Sequence, residues 1–186
     1  FKRGRMNYFT GKTISFRLVQ PSDAEFILKL RLDSAYNKYL SPTDNDLTKQ
    51  YEWIQNYKIR EKMGKEFYYI INRKDNALPI GTLRLYDFDF RKNSFCWGSW
   101  ILNSDKTKYA ALECCLFVYD KAFYELGFSH CHMNIKKGNT KVVDFHKRMG
   151  VVIVDEDDED YYGSYTVKSY EQYREYLLST ISKNTC

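Results

Sequence analysis

Ile14, Phe16 and Leu18 alternate with polar residues from Ile14 to Val19, which predicts a strand with one buried face. Ser22 and Glu25 stand at capping-box spacing and open a helix carrying Phe26, Ile27, Leu30 and Leu32. A Ser-, Pro- and Asp-rich loop, Leu40 to Asn45, leads to a second helix from Leu47 to Met63, ended by Gly64. Its expected apolar side holds Leu47, Tyr51, Trp53 and Ile54. Three strands follow, Phe67 to Asn72, Ile80 to Tyr86 and Phe95 to Leu102, joined by short polar turns that make them antiparallel neighbours. Leu112, Leu116, Tyr119, Phe123 and Leu126 then recur at helical spacing, predicting a long helix from Tyr109 to Leu126, closed by Gly127. A strand from His130 to Lys136, a helix from Thr140 to Met149, strands Val151 to Val154 and Tyr161 to Val167, and a helix from Tyr170 to Leu178 complete the pattern. The order β-α-α-β-β-β-α-β-α-β-β-α, with no repeat or linker, reads as one α+β domain over 14–186 behind an N-terminal extension, 1–13.

Composition narrows this. The 186 residues are 44% hydrophobic and 17% aromatic, enough for a substantial core. No apolar run approaches the roughly 18 residues that a membrane span requires. Nothing in the short basic start, Phe1 to Arg5 ahead of Met6, reads as a secretory leader. Lys and Arg number 29 against 24 Asp and Glu, but the consecutive acids Asp155 to Asp160 account for six of the 24. The body outside that strip is therefore markedly basic and suggests an anionic ligand. The basic residues are dispersed and lack aromatic–basic motifs, so nucleic acid is not the expected partner. The five cysteines are odd in number and form no Cys-x-x-Cys, as in a cytoplasmic protein with reduced thiols. His130 and His132 share a strand face with no second ligand pair nearby, so no metal site is expected.

No nucleophile-elbow, Walker or His-Glu-x-x-His motif occurs. The strand Cys96 to Leu102 feeds a polar loop, Asn103 to Lys108, and then the long helix. A helix N-terminus with Lys106 and Lys108 beside it suits a phosphate, although a solvated cap has the same composition.

Asn139, Val142, His146, Gly150 and Val151 fall at the offsets of a C-terminal motif, and together they resemble that of the GNAT N-acetyltransferase superfamily. In that pattern a small residue stands three after the Asn, usually a Tyr seven after, and Gly-Phe eleven after. Phe16-Arg17-Leu18 with Asp23, and Ile80-Gly81-Thr82-Leu83, are similar to the branch containing ribosomal-protein N-terminal and bacterial amino-sugar acetyltransferases. The resemblance implies a mixed, mostly antiparallel twisted sheet flanked by helices, with splayed central parallel strands. It also implies acetyl-CoA as cosubstrate. The backbone of Trp100, Ile101 and Leu102 would pair with the pantetheine amides, as an added strand does. The loop carrying Ser104, Lys106, Thr107, Lys108 and Tyr109 would hold the pyrophosphate, and Asn139 would contact the pantetheine. That loop departs from the family pattern, having no glycine between Gly98 and Gly127 to let phosphate approach closely.

His146 stands where the family usually has Tyr, so an imidazolium would protonate the departing sulfur, unless the residue merely packs on its helix. Candidate bases are Asp87, Tyr86, Glu113 or an acid within Asp155 to Asp160. Trp97 and Tyr86 would stack on a sugar or a base if they face the cleft. The expected activity is acetyl transfer to a primary amine, with a lean toward an amino sugar or sugar nucleotide, by a monomer or homodimer. The alternatives are N-terminal acetylation of a protein and a non-catalytic CoA-binding regulatory module.

Overall fold

The computed structural model describes residues 8–183; the basic start before residue 8 and Cys186 lie outside the described residues. The elements are β1 (Ile14–Leu18), α1 (Ala24–Leu32), α2 (Leu47–Lys62), β2 (Phe67–Arg73), β3 (Pro79–Asp89), β4 (Ser94–Leu102), α3 (Ala110–Tyr119), β5 (His130–Lys136), α4 (Thr140–Arg148), β6 (Val152–Glu156), β7 (Asp160–Thr166) and α5 (Val167–Ser182). The seven strands form one sheet in the order β1-β2-β3-β4-β5-β7-β6. All neighbours are antiparallel except β4 and β5.

The pleat of β2 sorts the layers. Tyr69 and Ile71 point into the larger core with α3, α4 and α5, while Tyr68 and Ile70 point to α1 and α2. The second core covers only the β1–β3 part of its face. On the same face of β5, His130 and His132 remain half-buried and Asn134 exposed. Each fully buried aliphatic side chain in these layers contributes about 2 kcal/mol.

Two buried acids anchor the N-terminal segment. Glu113, fully buried on α3, accepts from the N–H groups of Lys12 at 2.6 Å and Thr13 at 3.0 Å, and from the Thr13 hydroxyl. Asp120 accepts from Phe9 N–H, the Tyr170 hydroxyl and the Arg174 guanidinium, joining the segment to α5. The helix widens into a π-helix over Asp120–Glu125.

Three local expectations change. The cap before α1 is a 3₁₀ turn, Pro21–Asp23, in which Asp23 accepts from Gln20 N–H and pairs with Arg17, so Ser22 and Glu25 do not form the box. The buried side of α2 is Gln50, Ile54 and Tyr57. Leu47, Tyr51 and Trp53 are exposed there, because α2 is held through Tyr57, whose hydroxyl accepts from Tyr68 N–H at 2.9 Å. Finally, α5 starts at Val167, where Thr166 caps it by accepting from Ser169 N–H.

Candidate active site

Parallel pairing between β4 and β5 stops after Ser94 with His130 and Phe95 with Cys131. Beyond that point β4 stays paired with β3 and β5 stays paired with β7. The two central strands therefore diverge toward their C-terminal ends, and their facing backbone edges are left without a strand partner. A cleft of about 510 Å³ passes through the sheet at this gap. Trp97, Trp100, Val142 and His146 line it on one side, and Arg84, Tyr86, Asn134 and Asp160 on the other. Residues 39–42 of the α1–α2 loop close over it.

A bulge in β4 shapes the wall. Ser99 takes a positive φ of 46°, and its carbonyl accepts from the Thr82 hydroxyl at 2.8 Å. The inserted residue lets Trp97 and Trp100 face the same side, with ring centroids 5.0 Å apart. Trp97 is largely core, and its indole N–H donates to the Tyr119 hydroxyl at 3.2 Å. The Trp100 indole N–H is buried without a partner. Gly81 is required opposite: a Cβ there would lie 2.0 Å from the Ile101 carbonyl oxygen.

His146 is 6% exposed and sits edge-to-face with Trp97 and Phe145. Its Nδ1 is buried with no hydrogen-bond partner. With no nearby acid to favour the cation, burial pushes its pKa down to about 4. Burial thus favours the neutral ring in the free protein. Asn139 is the N-cap residue of α4 but makes no capping bond with its side chain, which is left to the cleft it lines.

The loop before α3 is held by bonds within itself and to neighbouring segments. Ser104 N–H donates to the Tyr36 hydroxyl, Asp105 N–H to Asn103 Oδ1, and Lys106 N–H to the Asn103 carbonyl. The Thr107 hydroxyl is bonded to that of Thr13 at 2.6 Å. Lys106 and Lys108 are exposed and form no ion pair among the described residues. This loop, the Ile101–Leu102 end of β4 and Asn139 stand at the open end of the divergence. Of the residues expected to hold CoA, Trp100 and Asn139 line the cleft, while Ile101, Leu102 and the loop from Ser104 to Tyr109 are not among its lining residues.

The candidate bases are scattered. Asp87 sits at the paired end of β4 and β5, at positive φ, and bonds His132 Nε2 at 2.9 Å; His132 Nδ1 is held by Ser94. Asp87 is not among the cleft residues, and Glu113 is consumed by Lys12 and Thr13. Tyr86 does line the cleft; burial raises its pKa, and the Arg84 guanidinium lies 4.4 Å from its ring centroid. Of the acidic run, only Asp160 reaches the cleft, with Oδ1 buried and unpartnered and Oδ2 on Lys136 at 3.0 Å. The run itself is a β6–β7 hairpin; Asp157 at its turn is held to a pKa of about 2, chiefly by the Tyr162 hydroxyl. Among the described residues no group of three His, Cys, Asp or Glu is placed to hold a metal ion.

Sequence patterns missed Arg31, Arg84 and the loop tyrosines. Tyr39 donates to the Gly138 carbonyl at 2.6 Å, so the α1–α2 loop bridges both lips of the cleft. Two tyrosines three residues apart in an otherwise small, polar loop were the available signal.

Residues 13–152 match the family model described as acetyltransferase (GNAT) domain. An SPbeta prophage-derived uncharacterized N-acetyltransferase, YokL, of Bacillus subtilis (strain 168) is 23% identical over 146 residues, 78% of this chain and 79% of its own. The solved structure of apo FdhC, described as a nucleotide-linked sugar GNAT, is 47% identical with a TM-score of 0.85, covering 92% of this chain and 96% of that one. Spermidine N-acetyltransferase from Vibrio cholerae, in complex with CoA and spermine, shares the fold at 16% identity and a TM-score of 0.73, over 87% of this chain and 99% of that one.

Proposed function

Since the chain belongs to the GNAT acetyltransferase domain family, we propose that it transfers acetyl from acetyl-CoA to the primary amine of an amino sugar, and that this sugar is carried on a nucleotide. The observation carrying the chemistry is a neutral, buried imidazole with an unpartnered nitrogen beside the cleft where β4 and β5 part. The 47% identity to a nucleotide-linked sugar GNAT supports the acceptor class.

Acetyl-CoA supplies an activated acyl carbon. An amine that attacks it must shed one proton, and the departing sulfur must gain one. His146 rests neutral, so it takes the amine proton as the new C–N bond forms and returns it as the C–S bond breaks. The nitrogen becomes strongly acidic on bonding carbon, so even a weakly basic imidazole suffices. One residue thus serves both transfers, and neither Asp87 nor Glu113 is needed. Trp100, Ile101 and Leu102 present their unpaired edge to the pantetheine arm, and Asn139 orients it. Lys106 and Lys108, with the N–H groups of Thr107 to Tyr109, hold the diphosphate. Tyr86 and Asn134 border the acceptor entrance, and Asp160 offers its free oxygen to the arriving amine.

The test is thiol release from acetyl-CoA with nucleotide-linked amino sugars, free amino sugars, peptide N-termini and polyamines. The expected result is turnover with the sugars, and His146→Ala lowering kcat by about 10²–10³ with CoA affinity retained. CoA binding without turnover on any amine would assign the chain to regulation instead.

A further inference from the structure

A second chamber of about 330 Å³ opens off the cleft on the α1–α2 face. The two share Arg31, Arg84, Ser41, Pro42 and Ser99, so both guanidiniums stand at the doorway between them.

Their charge is poorly matched from within. Arg84 has a side chain only 20% exposed, and its nearest carboxylate oxygen, on Glu66, is 3.9 Å away. Glu66 gives its other oxygen to Arg60 at 2.6 Å. The Arg84 guanidinium lies between aromatic rings, 4.4 Å from the centroid of Tyr86 and 5.4 Å from that of Trp53, and its Nε is buried without a partner. Arg31 donates only to neutral oxygens: Thr43 Oγ1 at 2.6 Å, the Ser41 carbonyl at 3.0 Å and Ser41 Oγ at 2.9 Å. The acids in the chamber wall are already used. Asp44 pairs with Lys49 at 2.9 Å, and Asp46 caps α2 by accepting from Lys49 N–H. A cation kept this dry without a close counter-charge is costly, and a bound anion relieves that cost. Planar guanidiniums suit phosphate oxygens in particular.

The geometry points to a diphosphate subsite for the acceptor: Arg31 and Arg84 bind the two phosphates of a nucleoside diphosphate, its nucleoside fills the chamber, and its sugar extends into the cleft toward His146. This rests on the acetyltransferase reading and adds to it the residues that select a nucleotide-linked acceptor. The subsite uses α1 and β3, whereas the CoA diphosphate is assigned to the loop before α3, so the molecule has two separate diphosphate positions.

The experiment titrates UDP, dTDP and inorganic pyrophosphate into protein already saturated with CoA, which fills the other diphosphate position. At least one nucleoside diphosphate should bind the CoA-loaded protein, more tightly than pyrophosphate. Arg84→Lys and Arg31→Lys should each weaken it about tenfold, because each loses the planar donor pair. Both variants keep the charge, and their CoA affinity and melting temperature should stay at the wild-type level. Failure of both nucleotides to bind the CoA-loaded protein overturns the subsite, as does binding that either variant leaves undiminished. Acetyl transfer to unlinked amines would continue in either case, so this failure is distinguishable from failure of the acetyltransferase reading, which shows as no transfer to any amine.

Discussion

A histidine held neutral in a dry wall carries a stability signature as well as a chemical one. Unfolded, His146 titrates near 6.5, whereas in the fold burial pulls its pKa to about 4. Between those values the unfolded chain binds the proton and the folded chain does not, so folding stability falls as pH drops from 6.5 through 4. The loss should reach roughly 3 kcal/mol. Denaturant unfolding of wild type and His146→Phe across pH 4–7 measures it: wild type should lose that extra stability on acidification, and parallel curves would contradict the assignment. Glu113 makes the opposite case. Its carboxylate is fully buried and serves the Lys12–Thr13 backbone. Glu113→Ala strands those N–H groups and should cost about 3 kcal/mol. Urea unfolding reads that loss, and acetyl transfer by the folded protein at low temperature should be unchanged. A large kcat effect at full stability would restore Glu113 as a base.

At the scale of elements, the proposed CoA site turns on the loop between β4 and α3. Its Ser104, Asp105 and Lys106 N–H groups already have partners. In the proposed site, side-chain charge therefore supplements the N–H groups of Thr107 to Tyr109 where the family pattern has a glycine-framed cradle. Lys106→Ala with Lys108→Ala should weaken CoA binding about tenfold in calorimetry, and the wild-type affinity should fall steeply with added salt. An unchanged affinity would move the diphosphate elsewhere. The strands and long helices around this loop were legible, because β5 alternates, β2 to β4 are apolar runs bounded by polar turns, and α3 is apolar nearly all round. The position of His146 was legible through its spacing from Asn139 and Gly150; its protonation was not, because that depends on Trp97 and Phe145 packing around it. The face of α2 was misread because Tyr57, anchored by a hydroxyl bond to β2, outweighs the more apolar Leu47 and Trp53. Arg31 and Arg84 were invisible for a related reason: they lie far apart in sequence and line one chamber only in the folded chain.

Across the whole molecule, the sheet is continuous on both flanks and open in the middle. β4 is tied to β3 and β5 to β7, so neither can swing inward to close the gap without breaking its own ladder. The β4–α3 loop lies at the open end, the two arginines and the α1–α2 loop stand on one face, and His146 reaches the opening from the other. No helix among the described residues is long and apolar enough to cross a membrane. A crystal structure of the protein with CoA tests this arrangement most directly. The thiol arm should lie between residues 97–102 and 133–139, with its sulfur within hydrogen-bond reach of the His146 ring and its diphosphate on residues 104–109. CoA bound at any other surface, or β4 and β5 paired along their full length, would contradict it.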